Sequence, residues 1–374
     1  MHYFLWKFKS ELYGQGNIHL YWYSILLIFS FLIAIYLLRN SKLNSNKNIR
    51  LDWYVFCLLS ISLISARLGY TISNPVKVLP GDWVSWLVPF SFSPKFHFTG
   101  INEFSLPAGV IGLFVGIVSL NKWMLKGNID NVIFKTLIPA LLVGALLFKA
   151  NFIHGFYKGT STDSPIGTVF IRPILDGLKT LPCCIMRSPN GPNPLETVTV
   201  FKDKKTSGLK TGQKNIVFNL VFKKSIEERE ATEFIIGDVK TFLFEHPEYT
   251  IEPGDVPIKY ALTKTPNGNI KATVNTIAIA RHPVQLYYTI SLFLLFCLLQ
   301  YLFRKHKIVR FRFWNGLVLI TFSILYIILE YITMQPENIK SIAGFNYNQW
   351  MTLSLVLLGV FFMFYPEKEK TQYR

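Results

Sequence analysis

Three short stretches of this chain concentrate side chains suited to handling a charged headgroup. The first is Arg281-His282-Pro283-Val284-Gln285-Leu286-Tyr287, which runs directly into an apolar block. The second is Phe148-Lys149-Ala150-Asn151-Phe152-Ile153-His154-Gly155, continuing to Gly159, and the third is Ser65-Ala66-Arg67-Leu68-Gly69-Tyr70. Arginine and lysine bring positive charge to a phosphate, asparagine and tyrosine bring hydrogen-bond donors, and imidazole titrates near neutral pH and can take a proton. Each stretch lies at the edge of a long apolar run, so the chemistry is expected where lipid headgroups meet water.

Each residue also has a plainer reading. An arginine such as Arg67 inside a span is costly and usually faces a protein or water-lined interior, but near a span end it can also snorkel. Gly69 beside it permits close approach of a neighbouring backbone or lipid. Lys149, Asn151, His154 and Lys158 form either a headgroup site or a snorkelling helix end closed by Gly155. Tyr326 and Glu330 are four residues apart and share a helix face. Pairing of Glu330 with Arg67 or Lys149 is a hypothesis that charge reversal tests.

The elements that must position these residues are membrane spans. The chain has 374 residues, 51% of them hydrophobic. Apolar runs recur at 21–38, 53–72, 106–120, 132–153, 284–303, 313–332 and 350–365, near the roughly 20 residues a bilayer requires. The third is short and glycine-rich, and 83–92 is an interfacial loop. Arg39, Lys42, Lys47 and Arg50 follow the first span, Lys122 and Lys126 the third, and Arg304, Lys305, Lys307, Arg310 and Arg312 the fifth. These loops belong on the cytoplasmic side, which puts the N-terminus outside, the tail 366–374 inside and the 160–280 segment outside. The formal charge of +17 is explained by that retention, with attraction to anionic lipids as a further use; no nucleic-acid partner is needed. The first run reads as a retained span rather than a cleaved signal.

The expected organisation is a membrane domain over 1–159, an α+β insertion over 160–280 and a second membrane part over 281–374. Residues 1–16 read as a surface helix, 161–194 as irregular backbone, and 197–201 and 215–222 as strands. Ser225 with Glu228 signals a capping box for a helix reaching about residue 245. Residues 258–265 and 269–280 read as strands joined by Pro266-Asn267-Gly268, and their alternation predicts one wet sheet face. Cys57 and Cys297 are packing residues. Cys183 and Cys184 are adjacent and diverge, which makes a poor chelate; neither metal nor cofactor is expected.

Taken together, these residues resemble the prolipoprotein diacylglyceryl transferase family, bacterial inner-membrane enzymes that move a diacylglyceryl group from phosphatidylglycerol to a lipobox cysteine thiol. Ala66-Arg67-Leu68-Gly69-Tyr70 is similar to the family's end-of-span motif. Asn151 to Gly159 is similar to its signature, with His154 at a usual Asn, and Arg281 to Tyr287 is the nearest match. The resemblance also marks departures. Pro107 takes the place of the family's His at the start of span three, Phe148 of an Arg, Phe156 of an acidic residue, Tyr288 of a Glu and Tyr326 of an Arg, while Glu330 matches a Glu.

The implied reaction is attack of a thiol on the glycerol carbon attached to phosphate. It needs cations for the phosphate and a base for the thiol proton. The resemblance implies Arg67, Lys149 and Arg281 as phosphate-binding cations, Asn151 and Tyr287 as donors, and His154 or His282 as base, with Gly69, Gly155, Gly159 and Glu330 in structural or pairing roles. The implied partners are phosphatidylglycerol or another anionic phospholipid and the prelipoprotein signal segment. Two alternatives stand beside it: a headgroup transferase with another acceptor, and a non-catalytic lipid-binding scaffold whose periplasmic domain binds protein partners.

Overall fold

A computed structural model describes residues 3–9, 11–15, 18–41, 50–74, 90–91, 97–98, 104–155, 159–182, 193–203, 209–305, 310–334 and 345–365. In chain order these begin with strands β1 (Phe4–Trp6), β2 (Glu11–Gln15) and β3 (Ile18–Tyr21), then helices α1 (Trp22–Asn40) and α2 (Leu51–Ser73). A two-residue pair, β4 (Phe90–Ser91) and β5 (His97–Phe98), precedes α3 (Leu106–Leu120) and α4 (Ile129–His154). Next come β6 (Thr168–Phe170), α5 (Arg172–Thr180), β7 (Leu195–Lys202) and β8 (Gln213–Phe222). Then follow α6 (Glu228–Phe234), α7 (Lys240–Phe244), β9 (Thr250–Ile251), β10 (Lys259–Lys264) and β11 (Ile270–Arg281). The chain closes with α8 (Val284–Lys305), α9 (Phe311–Tyr331) and α10 (Tyr347–Phe364).

Among the described residues seven helices are long and apolar enough to cross a membrane, each overlapping an expected span. The third reaches 20 residues because α3 continues through a π-turn, Asn121–Leu125. Lys126, with φ of 50°, ends it. The chain divides into two compact units: Met1–Tyr23 with Lys149–Leu286, and Ser24–Phe148 with Tyr287–Arg374.

The first unit is built on β11. On one side β11 pairs antiparallel with β8, which in turn pairs with β7; on the other it pairs in succession with β10, β9 and β6, and β1 adds parallel to β6. Alternate side chains of β8 and β11 are buried and the intervening ones are more open, as a sheet with one dry face requires. The dry face carries Ile216, Phe218, Leu220, Ala272, Val274 and Ala278, in one core with Ala231, Phe234, Ile235 and Leu243 of the α6–α7 segment. Gly268, with φ of 83°, closes the β10–β11 hairpin, a backbone region that favours glycine.

Three local expectations are corrected. The N-terminal residues form strands, because Leu5 and Trp6 pair alongside β6 and β2 pairs antiparallel with β3. The capping box is Glu227 with Glu230, two residues beyond Ser225 and Glu228, so the helix starts later. Within 161–194 lie β6 and α5, whose Ile174 and Leu178 enter the core. Cys183, Cys184, Phe156, Lys158 and most of the 83–92 loop fall outside the described residues.

The second unit is held by close helix contacts. Lipid offers helices little hydrophobic drive to associate, so small residues and buried polar bonds carry the packing. A methyl added at Gly69 would stand 2.2 Å from the Ala108 Cβ, and one at Gly112 2.3 Å from Ser65 Oγ. Ser62 Oγ donates to the Gly109 carbonyl at 2.8 Å, so α2 and α3 form one small-residue seam. Gly316 and Gly359 make the matching contact between α9 and α10.

Candidate functional site

In the first unit β11 runs through His282 and Pro283 into α8, and the transition is tied to the residues that follow α4. Arg281 is buried; its Nε and Nη2 donate to the Glu248 carbonyl at 3.3 and 2.8 Å, and Nη1 donates to the Gly159 carbonyl at 3.3 Å. His282 donates its backbone N–H to the Thr160 carbonyl at 3.0 Å. Gly159 lies so close that an added Cβ would be 2.0 Å from the His282 carbonyl oxygen. Gly159, Arg281 and His282 therefore form one knot that sets how the chain enters the fifth span. Burial pushes the half-buried His282 imidazole below its ordinary value, since desolvation disfavours the charged ring.

The end of α4 brings Asn151 and His154 onto one helix face, and Lys149, exposed, points away from both. The Asn151 Oδ1 is buried and accepts no hydrogen bond among the described residues. The half-buried His154 ring lies 6.2 Å from the Tyr21 ring. Phe152 packs between Trp6, at 4.3 Å, and Phe170, at 5.9 Å. Gly155, with φ of 83°, donates its N–H to the Phe152 carbonyl at 3.0 Å and ends the helix.

The second unit holds Arg67, Gly69, Tyr287 and Glu330. Arg67 is buried, with its guanidinium 5.7 Å from the centre of the Tyr70 ring. Tyr287 is half-buried. The buried Glu330 accepts from Asn346 Nδ2 at 3.0 Å.

Three of the family departures meet in this unit. The Phe148 and Tyr288 rings stack at 4.5 Å and 16°. Tyr288 in turn lies 6.3 Å from Tyr326. Positions that the resemblance marks as Arg, Glu and Arg are thus a single aromatic cluster.

Sequence reasoning missed several polar residues here. Ser105 Oγ donates to Asn348 Oδ1 at 2.7 Å, and the Ser105 backbone N–H donates to the Ala66 carbonyl at 2.9 Å. Asn346 and Gln349 form a reciprocal capping box on α10; the Asn-x-x-Gln spacing was the available signal. Asp130 is held by Arg312, whose charge was read only as a topology signal.

Seven apolar helices joined to a sheet-bearing unit define a multi-pass membrane protein with its polar equipment at helix ends. The prolipoprotein diacylglyceryl transferase profile matches residues 11–365, and the chain belongs to that family. It is 29% identical over 92 residues to the phosphatidylglycerol–prolipoprotein diacylglyceryl transferase of Bacteroides fragilis, a match covering 24% of this chain and 33% of that protein. It is 35% identical over 92 residues to the protein of the same name from Tolumonas auensis, covering 25% and 36%. The chain therefore spans about a third of the length of these curated relatives.

Proposed function

We propose that this protein transfers a diacylglyceryl group from phosphatidylglycerol to the lipobox cysteine of prelipoproteins. The observation that carries this reading is the family match across residues 11–365, which takes in all three polar stretches. The thiol sulfur attacks the glycerol carbon bonded to the phosphate oxygen, a carbon–sulfur bond forms, the carbon–oxygen bond breaks, and glycerol phosphate leaves with the electron pair. Arg67 holds the phosphate as charge builds on the leaving oxygen, with Tyr287 as donor, and Asn151 is the donor carried by the first unit. Lys149 supplies a point charge without the bidentate fork of an arginine. His154 or His282 takes the thiol proton, and Arg281, although expected to bind phosphate, serves through the carbonyl contacts that shape the head of the fifth span.

The same reading places the protein in a bacterial inner membrane with its N-terminus outside and the 160–280 insertion in the periplasm, between membrane parts 1–159 and 281–374. The prelipoprotein is the acceptor, and the insertion is a surface for a periplasmic or membrane partner. Pro107 and the Phe148–Tyr288–Tyr326 cluster favour a second reading, a scaffold that binds lipid without turnover.

The test is transfer by purified protein in phosphatidylglycerol bilayers with a lipobox peptide, beside Arg67→Ala, His154→Ala and His282→Ala. Peptide-dependent release of glycerol phosphate that falls about tenfold or more in Arg67→Ala and in one histidine variant supports the transferase. Saturable lipid binding with release no greater than a protein-free control transfers support to the scaffold.

A further inference from the structure

We infer that Ser105 and the first turn of α10 are the positioning device for Arg67, an inference that rests on Arg67 as a phosphate-binding residue. Ser105 is buried at the start of α3 and joins three helices. Its backbone N–H bonds the carbonyl of Ala66, the residue before Arg67. Its hydroxyl donates to Asn348 Oδ1 on α10, and the same oxygen accepts from the Ala108 N–H at 3.4 Å. Ala108 is the residue against which Gly69 closes, so the Arg67 turn is gripped on both sides.

The other side of the α10 turn completes the bracket. Asn346 caps the helix through Gln349 and donates to Glu330 on α9. Two sets of hydrogen bonds therefore meet in the first turn of α10: Glu330 to the Asn346–Gln349 cap, and Asn348 to Ser105 and on to the backbone beside Arg67, joined to each other through the covalent turn. In an apolar medium such bonds fix geometry because their partners have few alternatives. Apart from the terminal carboxylate the links are neutral side chains and backbone groups, so they act on the position of the Arg67 backbone.

A double-mutant cycle separates this role from simple packing. Full-length protein in detergent is titrated with short-chain phosphatidylglycerol, and transfer is measured in parallel. Ser105→Ala and Asn348→Ala are each expected to weaken lipid binding about fivefold, the scale of one lost hydrogen bond, while Ser105→Thr retains it. In an Arg67→Ala background neither alanine variant is expected to weaken binding further. Equal losses in both backgrounds, or no loss in the wild-type background, overturn the inference, as does wild-type protein that fails to bind the lipid. If Ser105→Ala does not fold, Asn348→Ala breaks the same bond from the other side. Wild-type protein that binds lipid but transfers nothing, with the cycle still non-additive, removes the transferase reading and leaves this inference standing.

Discussion

Two buried carboxylates of the helical unit are held in different ways. Asp130, at the start of α4, receives Arg312 Nε on both oxygens at 3.1 Å and Nη2 on Oδ2 at 2.8 Å, while Asn315 Nδ2 bonds its backbone carbonyl at 2.9 Å. Glu330, at the far end of α9, takes an amide donor from Asn346 on one oxygen. The first arrangement is a forked ion pair that fixes α4 to α9, and neither charge can act elsewhere without breaking it. In the second, one carboxylate oxygen accepts from a neutral amide that a change of charge on Glu330 leaves in place. The first corner has the chemistry of a fastening; the second is held by a bond to a neutral amide.

Breaking the fastening gives the largest expected effect. Arg312→Ala leaves Asp130 buried without its cation, and removal of one member of a buried pair costs about 3–5 kcal/mol. The thermal midpoint in micelles should fall sharply, and Asp130→Leu with Arg312→Met together should recover most of it. Glu330→Gln is expected to behave differently: the amide keeps an acceptor for Asn346 Nδ2, so the stability change stays within about 1 kcal/mol, while transfer falls. A loss as large as that of Arg312→Ala would instead place Glu330 in an ion pair, and restoration by combining Glu330→Gln with Arg67→Met would name Arg67 as the partner. That outcome would erase the distinction between the two corners.

The contrast also explains what could be read in advance. The seven spans were legible because each is an uninterrupted apolar run of bilayer length, and β8 and β11 because alternation persists over 10 and 12 residues. Strands β1 and β6, of 3 residues each, were not. So short a run has no measurable period, and their parallel pairing joins residues 4–6 to residues 168–170 inside the insertion. The motifs containing Arg67, Asn151 and Arg281 were visible as residue types, but their partners were not. Ser105 and Asn348 are 243 positions apart, and a lone serine and a lone asparagine at helix starts resemble ordinary caps. Phe148, Tyr288 and Tyr326 read as three separate departures because nothing in linear order says that they touch.

The smallest effect extends the comparison to the first unit, where a paired charge and an unfavoured one answer to acid in different ranges. Lys214 donates to Asp163 at 2.6 Å, and this bond together with the Gly212 N–H holds the Asp163 carboxyl below its ordinary 3.8. The contribution is present above that value and is lost as pH falls through the folded value. Burial holds the His282 imidazole below its ordinary 6.5. Below 6.5 the unfolded chain therefore binds a proton that the folded chain resists, so stability is full above 6.5 and declines as pH falls toward the folded value. His282→Gln should abolish that upper decline and leave the lower one. Hydrogen exchange of the amides of 279–281, compared between wild type and variant at equal pH, reads the difference because their intrinsic rates do not depend on residue 282. Parallel profiles between pH 7.5 and 5 would show that the His282 ring titrates as it does in the open chain, and the knot with Gly159 would then rest on the backbone bonds and Arg281 alone.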